Sequence, residues 1–137
     1  MTAGAFTPAD RLELHELAAR YGNTIDARDW TRFATVFTVD ATYELKGFGA
    51  LDCVIESAAQ IVVFMQASTS HPVAHHVTNV EIDSTGDPVT MFSKIVGTLP
   101  GGLAGSADYA DTVVRTPAGW QIAKRTVTLR RAPRPKG

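Results

Sequence analysis

Residues 75–130 read HHVTNVEIDSTGDPVTMFSKIVGTLPGGLAGSADYADTVVRTPAGWQIAKRTVTLR, and this stretch decides the fold. It is rich in Val, Ile and Thr, and three turn-forming clusters divide it: Ser84 to Pro88, Pro100 to Gly105, and Pro117 to Gly119. Four strands are predicted, near 75–83, 88–99, 107–115 and 120–130. Upstream, the chain is helical. Thr7-Pro8-Ala9-Asp10 imitates a capping box with proline in the first turn, and Leu14, Leu17, Ala18, Tyr21 and Ile25 follow at helical spacing. Helices are predicted over 8–27, 30–37 and 56–67, the second capped by Asp29 and striped by Trp30, Phe33, Ala34 and Phe37. A first strand is predicted over 41–45, ahead of the glycines at 47 and 49. Helices first and strands later predicts an α+β domain, its helices covering one face of a strongly bent, mainly antiparallel sheet.

Composition narrows what such a domain can do. The 137 residues suit a single domain over 1–137, of which the basic, proline-broken 131–137 reads as a flexible tail. Thirteen Lys plus Arg against fourteen Asp plus Glu leave a formal charge of −1, which argues against a nucleic-acid partner. Cys53 is the only cysteine, so neither an internal disulfide nor a cysteine-rich metal site is possible. The longest apolar run, Ile61 to Met65, is too short for a bilayer, and the N-terminus lacks the pattern of a secretory leader. A cytoplasmic protein with no membrane partner is the expectation.

Few residues offer chemistry. Asp26 ends the first helix beside its apolar stripe, either serving a turn or facing a pocket. His75 and His76 open a strand, so their side chains point to opposite faces. Alternation favours His76 as the inward one, in a row with Thr78, Val80 and Ile82, while His75 shares its row with Val77, Asn79 and Glu81. Two adjacent strand histidines cannot chelate one ion as a helical i, i+4 pair does, and no glycine-rich phosphate loop is present. No metal or cofactor is expected. Arg125 is out of place in the otherwise apolar row of Ala123, Val127 and Leu129. A three-residue loop at 117–119 would put Asp111 opposite Arg125, whereas a two-residue loop would put it opposite Lys124. The pair is then either a cross-strand ion pair or an oriented cation beside a pocket.

Nearly the whole chain resembles the SnoaL-like branch of the nuclear-transport-factor-2-like superfamily. The resemblance is carried by Arg20-Tyr21, Asp26 with Asp29-Trp30, Val36 through Tyr43, His75 through Asn79, Tyr109 through Asp111 with Arg115, and Gly119 through Ile122 leading to Arg125. It implies a cone-shaped α+β barrel enclosing a pocket. Within the branch the chain is most similar to cofactor-free lyases of the scytalone dehydratase and hexachlorocyclohexane dehydrochlorinase type. Asp26 matches their aspartate, His75 their histidine, Tyr43 a pocket aromatic and Arg125 a pocket arginine. Ketosteroid isomerases are less similar, because Leu45 follows Glu44 where their base aspartate stands. Asp111 with Arg125 also resembles the water-activating pair of epoxide hydrolases on this fold.

The resemblance thus implies a cofactor-independent lyase or isomerase acting on a small hydrophobic molecule. His75 would be the base and Asp26 its partner, with Tyr21, Tyr43, His76, Asn79, Asp111 and Arg125 around the substrate. It assigns the pocket to His75 where alternation favours His76. One bulge near the start of the strand would reverse the count and make Asn79 a pocket amide. The rival expectation is a non-catalytic module that binds a small ligand or a protein. A homodimer is expected in either case, since helices leave one face of the sheet uncovered.

Overall fold

The computed structural model describes residues 4–69 and 71–131, so most of the expected tail, 132–137, lies outside the described residues. Helix α1 (Pro8–Asp26) starts with the anticipated capping box. The Thr7 hydroxyl accepts the Asp10 N–H at 3.2 Å, and the Asp10 carboxylate accepts the Thr7 N–H at 2.8 Å. Such a cap stabilises by about 1 kcal/mol. Leu14, Leu17, Ala18, Tyr21 and Ile25 are all buried along one side.

Helix α2 (Trp30–Ala34) is shorter than predicted. Val36 to Val39 prefers extended backbone, and the Val36 carbonyl accepts the Ile122 N–H at 2.9 Å. Phe37 is therefore buried as the first residue of a strand, β1 (Phe37–Lys46). A short strand that the sequence reading missed, β2 (Cys53–Glu56), precedes α3 (Ala58–Ala67), which Ser57 caps. The remaining strands lie close to expectation: β3 (Ala74–Asp83), β4 (Val89–Thr98), β5 (Ala104–Thr116) and β6 (Gly119–Arg130).

The sheet order is β2-β1-β6-β5-β4-β3. Only β1 and β6 run parallel, so the sheet is mixed. Its two edge strands do not pair with each other, so the cone stays open and does not close as a barrel. Helix α1 packs on β3 and β6, and α3 on β1. Among the described residues no helix is long and apolar enough to cross a membrane.

Both ends of α1 are tied to the sheet. At its start the carboxylates of Asp10 and Glu13 accept the Trp120 indole and backbone N–H at 3.1 and 2.6 Å. At its end the Asp26 carboxylate reaches β3.

Candidate active site

Asp26 takes two donors from one residue. Its Oδ2 accepts the His75 backbone N–H at 2.9 Å, and its Oδ1 lies 2.6 Å from His75 Nδ1. A carboxylate can only accept, so Nδ1 carries a hydrogen, and in the neutral form of the ring Nε2 is the nitrogen left with a lone pair. The His75 side chain is only 6% exposed, at the wall of a cavity of about 290 Å³.

That cavity lies between the helices and the concave face of the sheet. Phe48, Leu51, Phe64, Leu99 and Leu129 make most of it apolar, and among the described residues no Lys, Arg, Asp or Glu lines it. Polar groups line it too, among them the hydroxyls of Tyr21 and Tyr43, which stand 2.7 Å apart. Burial, helped by the neighbouring phenols, pushes the Tyr43 hydroxyl well above its ordinary range, and Tyr109 behaves likewise. Both phenols stay protonated and can donate at any working pH. The Tyr21 ring meets the His75 ring edge to face, with centroids 6.3 Å apart.

His75, not His76, faces this cavity, and the reason is a bulge. β3 pairs regularly with β4 through Thr78 opposite Lys94, then resumes with Glu81 opposite Phe92. Asn79 and Val80 therefore share one partner, Ser93. Beyond that point the parity of the strand is inverted, so Val80 and Ile82 pack inward on the same side as His75 and Val77. Counting alternate residues back from Val80 and Ile82 gave the wrong histidine.

The same bulge overturns two predicted contacts. His76 is exposed on the other face. Asn79 takes the positive φ of the bulge, at 55°, is exposed, and accepts the Thr78 hydroxyl at 2.6 Å, so it is no pocket amide.

Asp111 and Arg125 do meet, by a route the sequence reading did not foresee. Thr116 pairs with Gly119, leaving a two-residue loop, and Ala123 is an extra residue that restores Asp111 opposite Arg125. Arg125 donates through Nε and Nη2 to the two Asp111 oxygens at 2.8 and 2.9 Å, with both side chains fully buried. Burial opposes the guanidinium's charge, but the Asp111 carboxylate outweighs it and holds the arginine pKa above its ordinary value.

This pair does not line the cavity, contrary to expectation. The guanidinium carbon lies 4.3 Å from the Tyr21 ring centre and 3.9 Å from that of Tyr109, so two phenol faces lie over it. Arg125 meets the site through these tyrosines, and the pair, absent from the cavity wall, is not placed for the water activation of an epoxide hydrolase.

Two lining residues with titratable side chains were not among the expected site residues. Tyr109 could have been found, since it shares the inward row of Ala107, Asp111 and Val113. His71 sits outside any helix or strand, where no period marks it. Its ring centre is 5.6 Å from that of His75, and it also lines a second hollow together with Asp26, Arg28 and His75. Burial, then the neighbouring His75 and Arg28, lower its pKa from 6.5 to about 4, with Asp26 opposing.

A folded pKa below the unfolded one means the unfolded chain binds more protons between these values, so stability should fall as pH drops from about 6.5 to 4. His71→Phe should flatten that limb relative to wild type in urea midpoints measured across the range. Parallel curves would contradict this burial of a neutral histidine.

Among the described residues no three His, Cys, Asp or Glu side chains converge to hold a metal ion. The sequence profile of the SnoaL-like domain matches residues 7–126. An uncharacterized protein of Mycobacterium tuberculosis is 32% identical over 129 residues, covering 88% of this chain and 85% of its own length. Among solved structures, Rv3472 of the same organism, of unknown function, is 26% identical with a TM-score of 0.77 over 92% of this chain and 79% of that one. A hexachlorocyclohexane dehydrochlorinase, LinA type 2, shares the fold at 18% identity, with a TM-score of 0.69 over 90% and 89% of the two chains.

Proposed function

The chain belongs to the SnoaL-like domain family, and on that premise we propose that it is a cofactor-independent lyase or isomerase acting on a small, uncharged, largely apolar molecule. One observation carries this reading: a histidine with Nδ1 held 2.6 Å from a carboxylate, its ring packed on Tyr21 at the wall of a largely apolar cavity. A binding module has no need of an oriented imidazole.

The proposed step begins with Nε2 of neutral His75 taking a proton from carbon next to an electron-withdrawing group. Asp26 holds the tautomer beforehand and steadies the imidazolium afterwards. The electron pair moves onto the withdrawing group, where the one hydroxyl hydrogen not spent in the 2.7 Å bond between Tyr21 and Tyr43 donates a hydrogen bond to it. Return of the proton at another carbon completes an isomerisation, and loss of a leaving group completes an elimination. Arg125 contributes by fixing the tyrosine rings from beneath. The lining carries no Lys, Arg, Asp or Glu among the described residues, which argues for an uncharged substrate, because an ionised group would lose its hydration with no counter-charge there to meet it.

The test uses wild type in deuterium oxide with a panel of uncharged one- and two-ring ketones, read by mass spectrometry at the carbon next to the carbonyl. Faster incorporation of deuterium by wild type than by His75→Ala is expected for the compounds that fit. Tight binding without any His75-dependent exchange would favour the non-catalytic binder. The expected homodimer belongs to the same proposal and is tested separately by sedimentation.

A further inference from the structure

Gly22 stands one helical turn before Asp26, on the face of α1 that meets β3. A Cβ built on it would lie 2.8 Å from the carbonyl oxygen of His75, 3.5 Å from Val77 Cγ2 and 3.6 Å from His75 Cβ. The first contact is closer than real Cβ atoms approach. The obstacle is backbone that cannot swing aside, since His75 is held in register opposite Gly97 of β4.

We propose that Gly22 is the positioning residue of the Asp26–His75 pair: its missing side chain sets the separation of α1 and β3 at which the carboxylate reaches the imidazole. This rests on the dyad reading above for its consequence in catalysis, though not for its geometry.

Three contacts of Asp26 with His75, at 2.6, 2.9 and 3.1 Å, leave no slack. The start of α1 is anchored independently through Asp10 and Glu13 on Trp120, so a methyl group at position 22 tilts the distal end of the helix outward. A shift of about 1 Å takes the Nδ1 contact beyond hydrogen-bonding distance. Alanine is also a better helix former than glycine, so α1 itself is not weakened by the change. A glycine serving packing alone would show a different signature: lower stability with the His75 ring undisturbed.

The experiment is NMR of ¹⁵N-histidine-labelled, ligand-free protein, following the His75 ring Nδ1–H, which a short bond to a carboxylate moves far downfield and protects from exchange. Gly22→Ala is expected to fold and to lose that resonance. Asp26→Glu, with a carboxylate one methylene too long for the native gap, should also lose it. The double variant Gly22→Ala/Asp26→Glu should regain it, because the longer side chain spans the widened gap.

Retention of the signal in Gly22→Ala, failure of the double variant to recover it, or failure of Gly22→Ala to fold would each overturn the proposal. The readout needs no turnover, so it can succeed if the protein proves to be a binder, and fail while the deuterium-exchange test succeeds.

Discussion

Arg125→Met should lower the free energy of unfolding by about 3–5 kcal/mol, the usual cost of leaving one member of a buried ion pair alone. The loss arises at Asp111, which is 3% exposed and has both oxygens committed to this guanidinium. Asp111→Leu should be comparably damaging, because it strands a cation that is 0% exposed and already has an Nη1 with no hydrogen-bond partner. The double variant Arg125→Met/Asp111→Leu should recover most of the loss, since it removes two desolvated charges together and fills the space with apolar atoms. Urea denaturation of the four proteins measures this directly. Additive losses would show that the pair is not the source of either cost, and would shift the weight to the stacking of the guanidinium on Tyr21 and Tyr109.

The ion pair also marks where sequence reading stops. Element types were legible: the capping box at Thr7 and the strands after residue 75 rest on local propensity and spacing, which need no knowledge of the partner strand. The Asp26–His75 pairing was legible too, but only through family resemblance, since the two residues are 49 positions apart. The places of two bulges were not: a bulge in β3 was raised only near its start, as what would reconcile His75 with strand alternation, and none was expected in β6. One inserts Ala123 into β6 and restores Asp111 to Arg125 despite a two-residue loop. The other, at Asn79 and Val80, inverts the parity of β3 and turns His75 inward.

A bulge is decided by how two strands and the helix above them compete for position, so its sign in the sequence is faint. Asn at a positive φ is one such sign, visible after the fact. Gly22 is another. In a helix it reads as a small defect, and only the proximity of the His75 carbonyl shows why a side chain has no room there.

If the dyad acts as proposed, His75→Ala should lower turnover by about a hundredfold or more, the scale of one general base. Asp26→Asn should do comparable damage for a geometric reason. The carboxylate offers one oxygen to the ring N–H and the other to the backbone N–H of His75. An asparagine has one oxygen and one NH₂, so whichever way it is turned, a donor faces a donor. Either the ring loses its orienting bond or the strand loses its anchor at that residue.

The double variant should then lose little beyond the worse single one, since an orienter without a base has nothing to orient. His76→Ala serves as the control: its side chain is exposed on the opposite face of β3, and turnover should stay within a factor of about two of wild type, as surface changes usually leave little trace. These rates can be measured on any ketone for which wild type accelerates deuterium exchange. A silent His75→Ala with a damaging His76→Ala would mean that the bulge at Asn79 does not form in solution. Independent, multiplying losses for Asp26 and His75 would mean that the two do not work as a unit.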